Sequence, residues 1–302
     1  MRDVHAMSPD HDRLELRHVG LEGVRKPLHV ERAGRVVTLT VTFAVSVDLP
    51  ADRKGSDLSR NAELLAEIVD RTATRPVPGL EAACLAIARE LLTRHPSAQR
   101  SRVRGEAVYF LPRGVSADRM SLEDFVLVAE AEATRQPTGE PELVRSVGAE
   151  AVGMTACPCA MEGVREHLQA EFPALRGPEL RDLPVVTHNQ RNRTRLTFDL
   201  PEGAEVEADA MIAAIEAAQS APTFAILKRG DEAKVVLAAH RAPKFVEDVM
   251  RDLLAALPGR FPALPDGTGV RAWTRSEESI HKYDVVAEHA TTLGALRHAA
   301  PA

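Results

Sequence analysis

Thr and Val alternate from Val36 to Leu49, and a shorter run, Leu28 to Glu31, precedes it across the turn residues Ala33 and Gly34. Alternation at period two marks a half-buried strand, because successive side chains leave opposite faces of the backbone. The two runs predict a long β-hairpin. Beyond Pro50 the period lengthens. Leu58 to Val69 and Leu80 to Leu92 carry apolar residues three and four apart, which predicts two helices. Ser59 is placed to cap the first, and Pro76 and Pro78 precede the second. Val103 to Leu111 and Phe125 to Ala131 alternate again, giving the order strand, strand, helix, helix, strand, strand.

The second half repeats that plan loosely. Glu150 to Met154 and Arg195 to Leu200 predict strands, and Met161 to Phe172 and Met211 to Ala218 predict helices. Pro243 to Leu257 predicts an amphipathic helix with Phe245, Val249, Leu253 and Leu257 on one stripe. Val270 to Thr274 and Ile280 to Val286 predict closing strands. Gln136 to Glu142, with two prolines and a glycine, reads as the linker between the halves. No residue-level identity joins them, so their likeness is one of element order.

At 302 residues the chain is long enough for two ordinary domains. Aromatic residues make up only 4%, so the core must be built from Ala, Val, Leu and Ile. A net charge of −6, with both signs mixed, argues against a surface made to neutralise nucleic-acid phosphates. Met1 to Leu21 has no apolar core of a signal peptide, and the run from Val36 is interrupted by Thr38, Thr40, Thr42, Ser46 and Asp48. The expectation is a cytoplasmic protein with no membrane partner. Of three cysteines, Cys157 and Cys159 lie one residue apart, which fits a metal or nucleophile site better than a disulfide framework.

Several segments could carry chemistry. Cys157 and Cys159 lie between a strand end and a helix start, where Pro158 suits the first helical position and a thiolate would feel the helix N-terminus. A small buried cysteine pair is the plain alternative, and Cys84, on an apolar helix face, reads as core. Thr187 to Arg191 is a dense polar cluster before a strand. His188 within it reads as a metal ligand, a base or a surface histidine. His281 follows Glu277 and Glu278 on a predicted strand and has the same alternatives; His95 and the other histidines show no comparable setting. Glu247 precedes Arg251 by four residues, the spacing of a helical ion pair worth about 0.3–0.5 kcal/mol. Lys54 to Arg60 could cradle an anion at a helix start, or be an N-cap flanked by solvated charges.

Six stretches, taken in order, resemble the type IB GTP cyclohydrolases and particularly their archaeal branch, which serves methanopterin synthesis. They are VDLPADRKGSDLSRN (47–61), GAEAVGMTACPCA (148–160), THNQR (187–191), LKRGDEAKVV (227–236), APKFVEDVMRD (242–252) and EESIH (277–281). The resemblance implies an α+β fold of tandem tunnelling-fold units, residues 1–140 and 141–302, each an antiparallel sheet backed by helices, associating into an oligomeric barrel, expected as a homotetramer. It implies one divalent metal, Fe(II), Zn or Mn, at Cys157, His188, Glu232 and His281, with Cys157, His188 and Glu247 catalytic. It also implies that Glu247 anchors the guanine edge of GTP, with Lys54, Ser59, Arg60, Gln190, Arg191, Lys228 and Arg229 toward the rest of the substrate.

The implied reaction opens the guanine imidazole ring at C8, releases formate and yields a dihydroneopterin phosphate, either the triphosphate or the 2′,3′-cyclic phosphate. Two alternatives stand beside it: a non-catalytic metal- or purine-binding protein of the same fold, and a hydrolase that stops at a formamidopyrimidine. The sequence departs from the family pattern at Tyr283, where a second histidine is common, at Asp57, where His or Asn is expected, and at Leu237 and Ala238, in a stretch usually more acidic. These departures bear on proton transfer and phosphate handling more than on metal binding.

Overall fold

The computed structural model describes residues 14–32, 34–175 and 183–299. By contact the chain divides into two compact units, neither of them one continuous stretch of sequence. One comprises residues 1–109, 126–147 and 199–202, the other residues 110–125, 148–198 and 203–302.

In the first unit, β1 (Leu16–Arg32) and β2 (Arg35–Leu49) form the expected hairpin, much longer on its first arm than the alternation showed. Gly34 takes φ 73° in its turn, a left-handed conformation that residues with a Cβ rarely adopt; Ala33 lies outside the described residues. β2 continues antiparallel to β3 (Arg100–Gly114), and β4 (Met120–Thr134) and the start of β5 (Glu142–Ala156) follow in strand order. The segment 136–142, expected as a linker, is the turn between β4 and β5.

Leu39, Val41, Phe43, Val45, Val47 and Leu49 all point inward from β2. They meet helices α1 (Leu58–Thr74) and α2 (Leu80–Arg94), which bury Leu64, Leu65, Ile68, Cys84, Ile87 and Leu91. Cys84 is core, as expected, and burial pushes its thiol pKa up. Ser59 does not cap α1. Asp57 occupies that position and its carboxylate is 3.0 Å from Arg60, while Ser59 already lies within the first turn.

In the second unit, β5 neighbours β6 (Asn189–Leu200), which neighbours β8 (Gly269–Glu277) and then β9 (Val285–Thr292); the two-residue β7 (Ala221–Pro222) pairs with β5. The inward face of β6 changes character along its length. Gln190, Asn192 and Thr194 are buried at one end, and Leu196, Phe198 and Leu200 at the other. On its opposite face, Arg193 and Arg195 pair with Glu150 at 2.9 and 2.7 Å.

Helices α3 (Pro158–Glu171), α4 (Ala208–Ala218), α5 (Arg229–Arg241), α6 (Val246–Arg260) and α7 (Leu293–Ala299) complete the unit. The apolar stripe of α6 is Val246, Val249, Leu253 and Leu257; Phe245, expected on it, is an exposed N-cap residue. The expected strand over Ile280 to Val286 is also displaced. Residues 278–284 form an irregular loop, and β9 begins only at Val285.

Leu253 is fully buried on α6, so Leu253→Ala should cost about 2–5 kcal/mol through lost transfer energy and the cavity left behind. Chemical denaturation of the variant against the parent checks this; a loss under about 1 kcal/mol would mean that the α6 stripe is not packed as described.

Candidate active site

The site starts where β5 stops. Cys157 is the N-cap of α3, with Pro158 at the first helical position, and its Sγ accepts a hydrogen bond from the Ala160 backbone N–H at 3.4 Å. Proline suits this place because its missing N–H would lack an intrahelical partner anyway. Two further bonds tie this cap to the approach to β6. The Cys157 N–H donates to the His188 carbonyl at 3.2 Å, and the Thr187 hydroxyl donates to the Cys157 carbonyl at 2.8 Å. Residues thirty apart in sequence are thereby held side by side.

His188 turns its Nδ1 into the protein. That nitrogen lies 2.9 Å from Gln190 Nε2, 3.3 Å from Ser279 Oγ and 3.7 Å from Glu278 Oε2. Among the described residues Nε2 makes no hydrogen bond. The His281 ring stands edge-on to it, with centroids 6.5 Å apart, and stacks on Tyr283 at 5.0 Å. Thus the position where a second histidine was expected holds a ring that braces the first. His281 sits in the irregular loop, not on a strand.

Two helices approach the same strand end. The Lys244 N–H donates to the Ala156 carbonyl at 3.0 Å, fixing the start of α6 beside Cys157. Helix α5 packs through Val235 and Ala239 onto Met154 and Ala156, one turn beyond Glu232. The ends of β5, β6 and β8 and the starts of α3 and α6 therefore converge on Cys157, His188 and His281.

A family model described as "Type I GTP cyclohydrolase folE2" matches residues 1–287. The chain belongs to that family. Among its relatives is the GTP cyclohydrolase MptA of Methanococcoides burtonii, 38% identical over 292 residues that cover 94% of this chain and 92% of the relative. GTP cyclohydrolase MptA 2 of Methanocella arvoryzae is 39% identical, covering 94% of each chain. Solved uricases share the fold at low identity. That of Arthrobacter globiformis aligns with a TM-score of 0.51 at 10% identity over 91% of this chain and 93% of its own. The Bacillus fastidious uricase aligns at 0.50 and 11%, over 93% and 95%. The fold is the expected tunnelling type, with antiparallel strands backed by helices, and the family makes the chain a hydrolase.

For a type I GTP cyclohydrolase, the remaining expected site residues fall into distinct surroundings. Glu232 is exposed on α5, and among the described residues no three His, Cys, Asp or Glu side chains are close enough to form a metal group. The thiol and imidazole of Cys157 and His188 fit a divalent ion by donor chemistry; the structure brings neither His281, whose ring centroid lies 6.5 Å from that of His188, nor Glu232 into a three-residue metal group with them. Its helix is firmly anchored all the same. Buried Asp231 bonds the Lys228 N–H and pairs with Arg119; burial opposes its charge, but these partners hold its pKa below the ordinary carboxylate value.

Glu247 is exposed in the first turn of α6, and the expected pair with Arg251 does not form: Arg251 lies 3.7 Å from Asp248 instead. Arg191, Lys228 and Arg229 are exposed. Gln190 is only 6% exposed and directs its amide at His188 and Glu278, not at open surface. Glu278 is the residue that sequence reasoning passed over. Its side chain is 9% exposed beside His188, and its place in EESIH was the available signal.

The Lys54 to Arg60 segment divides as well. Lys54 and Ser59 are exposed, whereas Arg60 lines a cavity of about 230 Å³ in the first unit, with Arg53, Ser56, Asp57 and His95. The Ser56 hydroxyl is buried there without a hydrogen-bond partner. His95 Nε2 donates to Asn61 Oδ1 at 2.7 Å, and the His95 pKa is lowered, first by burial and then by Arg60 and Arg53. A histidine held neutral in the folded chain takes up its proton more readily when unfolded. Stability should therefore fall as pH drops below about 6.5, the unfolded value, toward the lower folded value. Thermal unfolding between pH 7.5 and 5 should show this loss, and His95→Asn should reduce it; an unchanged pH dependence in the variant would contradict the assignment.

Proposed function

We propose that this chain is a metal-dependent GTP cyclohydrolase that opens the guanine imidazole ring at C8, releases formate and delivers a dihydroneopterin phosphate. The observation that carries this reading is the lock between Cys157 and His188, which presents a thiol and an imidazole at the converging strand ends. Cys157 and His188, with His281 beside them and Glu232 from α5, would hold Fe(II), Zn or Mn. A divalent ion held there supplies Lewis acidity and lowers the pKa of water for attack at C8.

The chain's own groups do the rest. Glu247 has a solvent-facing carboxylate at a helix N-terminus, beside the segment that Lys244 fixes to β5. A carboxylate can accept two hydrogen bonds from guanine, from N1–H and the 2-amino group, and so orient the purine. The exposed Arg191, Lys228 and Arg229 are assigned to the ribose-phosphate end. Lys54, Ser59 and Arg60 have the same assignment, with the Arg53 and Arg60 cavity the natural anion seat of that segment. Tandem tunnelling-fold units, 1–140 and 141–302, account for the repeated order of strand and helix pairs, and self-association to a homotetramer is part of this reading. No helix among the described residues is long and apolar enough to cross a membrane.

Anaerobic incubation with GTP and each of Zn, Mn and Fe(II), followed by mass analysis, tests the reaction. Formate and a dihydroneopterin phosphate are expected; a formamidopyrimidine as the final product would overturn the assignment. Glu247→Gln should weaken GTP binding at least tenfold, because its amide would set a donor against a guanine donor. Its metal content should stay unchanged. Near-parental GTP affinity in that variant would return Glu247 to the solvated surface.

A further inference from the structure

Two polar side chains with little exposed surface, Gln190 and Glu278, face the inward nitrogen of His188. Gln190 Nε2 lies 3.2 Å from Glu278 Oε2 and 2.9 Å from His188 Nδ1, while the Thr155 hydroxyl donates to Gln190 Oε1 at 3.3 Å. Thr155 is itself held by Ser276 Oγ at 3.2 Å. These partners fix the direction of the Gln190 amide on chemical grounds. A carboxylate can only accept, so it must face the amide nitrogen, and Thr155 donates to the amide oxygen on the other side. His188 Nδ1 consequently receives a hydrogen bond from Gln190, and a neutral ring in that arrangement carries its hydrogen on Nε2.

That arrangement opposes a metal on Nε2. A ligating Nε2 offers its lone pair, so the neutral ring must carry its hydrogen on Nδ1 and donate it. Gln190 would then meet Nδ1–H with an N–H of its own. The carboxylate best placed to receive the hydrogen is Glu278, 3.7 Å away and almost fully buried. Ser279, at 3.3 Å, is a neutral hydroxyl in the same loop.

We propose that Glu278 is the positioning carboxylate of the metal site, taking the Nδ1–H of His188 when Nε2 binds a divalent ion, and that the Gln190 amide competes for the same nitrogen. In the ligating tautomer the ring carries its one hydrogen on Nδ1, the proton leaving Nε2 passing to water and the one arriving at Nδ1 coming from water. Gln190 thus acts on the histidine and not on substrate. Its buried contact with Glu278 makes the two variants act in opposite directions. Removing the acceptor weakens binding of the ion, and removing the competing amide does not.

This inference rests on His188 being a metal ligand through Nε2, and the test separates the two. Co(II) is titrated into the purified full-length chain, following the absorption of its thiolate complex, for the parent, Glu278→Gln and Gln190→Met, with thermal unfolding of each before metal is added. Glu278→Gln should bind Co(II) about 10- to 100-fold more weakly, and Gln190→Met at least as tightly as the parent. Parental affinity in Glu278→Gln would overturn the proposal and leave the ligand reading intact. A loss in Gln190→Met equal to that in Glu278→Gln would also overturn it, by making the pair a common scaffold. Failure of the parent itself to bind Co(II) would remove the ligand reading and the inference together. Should either variant not fold, long-range ¹H–¹⁵N NMR of the parent decides the matter, with His188→Asn identifying the resonance. Addition of Zn(II) should convert Nδ1 of His188 to the hydrogen-bearing type; an Nδ1 that remains an acceptor would overturn the proposal.

Discussion

The site depends on two backbone-level hydrogen bonds, from the Cys157 N–H to the His188 carbonyl and from the Thr187 hydroxyl to the Cys157 carbonyl. They close a long excursion of chain that contains α3 and returns it to the strand end it left. A thiol at a helix N-cap and a histidine before a strand become neighbours without either having to reach. These bonds fix the two backbones, and the side chains are held separately, Cys157 Sγ by the Ala160 N–H and His188 Nδ1 by Gln190 and Ser279, which leaves less rotamer entropy to lose on binding. The start of α6 is set by the same device, because Lys244 bonds the carbonyl immediately before Cys157.

Holding this end of the sheet has a cost in polar burial. Asn192, Thr194 and Thr274 have no exposed surface and bond one another at 2.8–2.9 Å, with Gln219 adding a bond at 3.0 Å, while the Asn192 amide nitrogen and the Gln219 amide oxygen are buried with no hydrogen-bond partner. Buried polar groups are tolerated when paired in this way and are expensive when not. Farther along the same face of β6 the side chains become Leu196, Phe198 and Leu200, and Phe198 packs on Phe261 at 4.9 Å. One strand face thus carries both an apolar core that stabilises the unit and a polar network that orients the site. Gln190, on the same face of β6, belongs to a separate hydrogen-bonded set with Thr155, Glu278 and His188.

Much of this was legible from residue order. The period of two in β2 and the three-four spacing in α2 and α6 each follow from one strongly buried face, and there the predicted elements were found. The expected strand at Ile280 failed because its residues lie in an exposed loop, where no core face imposes a period; Ile280 is 62% exposed. β9 itself is largely exposed on both faces, which leaves little alternation to read. Ser59 was misplaced as a cap because Asp57 begins the helix and pairs with Arg60 through charge. Cys157, His188 and His281 could be named as candidates from their motifs, and they lie where the ends of β5, β6 and β8 meet. The role of Glu278, and the inward use of Gln190, depend on contacts between β6 and the loop after β8, separated by nearly ninety positions, and no local spacing encodes them.

The central claim is that Cys157 and His188 share one divalent ion. X-ray absorption of the zinc-loaded protein, compared with Cys157→Ser, measures this directly. The account predicts one sulfur at about 2.3 Å together with nitrogen or oxygen at about 2.0–2.2 Å, including an imidazole signature, and loss of the sulfur shell in the variant. A zinc environment without sulfur, or one unchanged by Cys157→Ser, would contradict it.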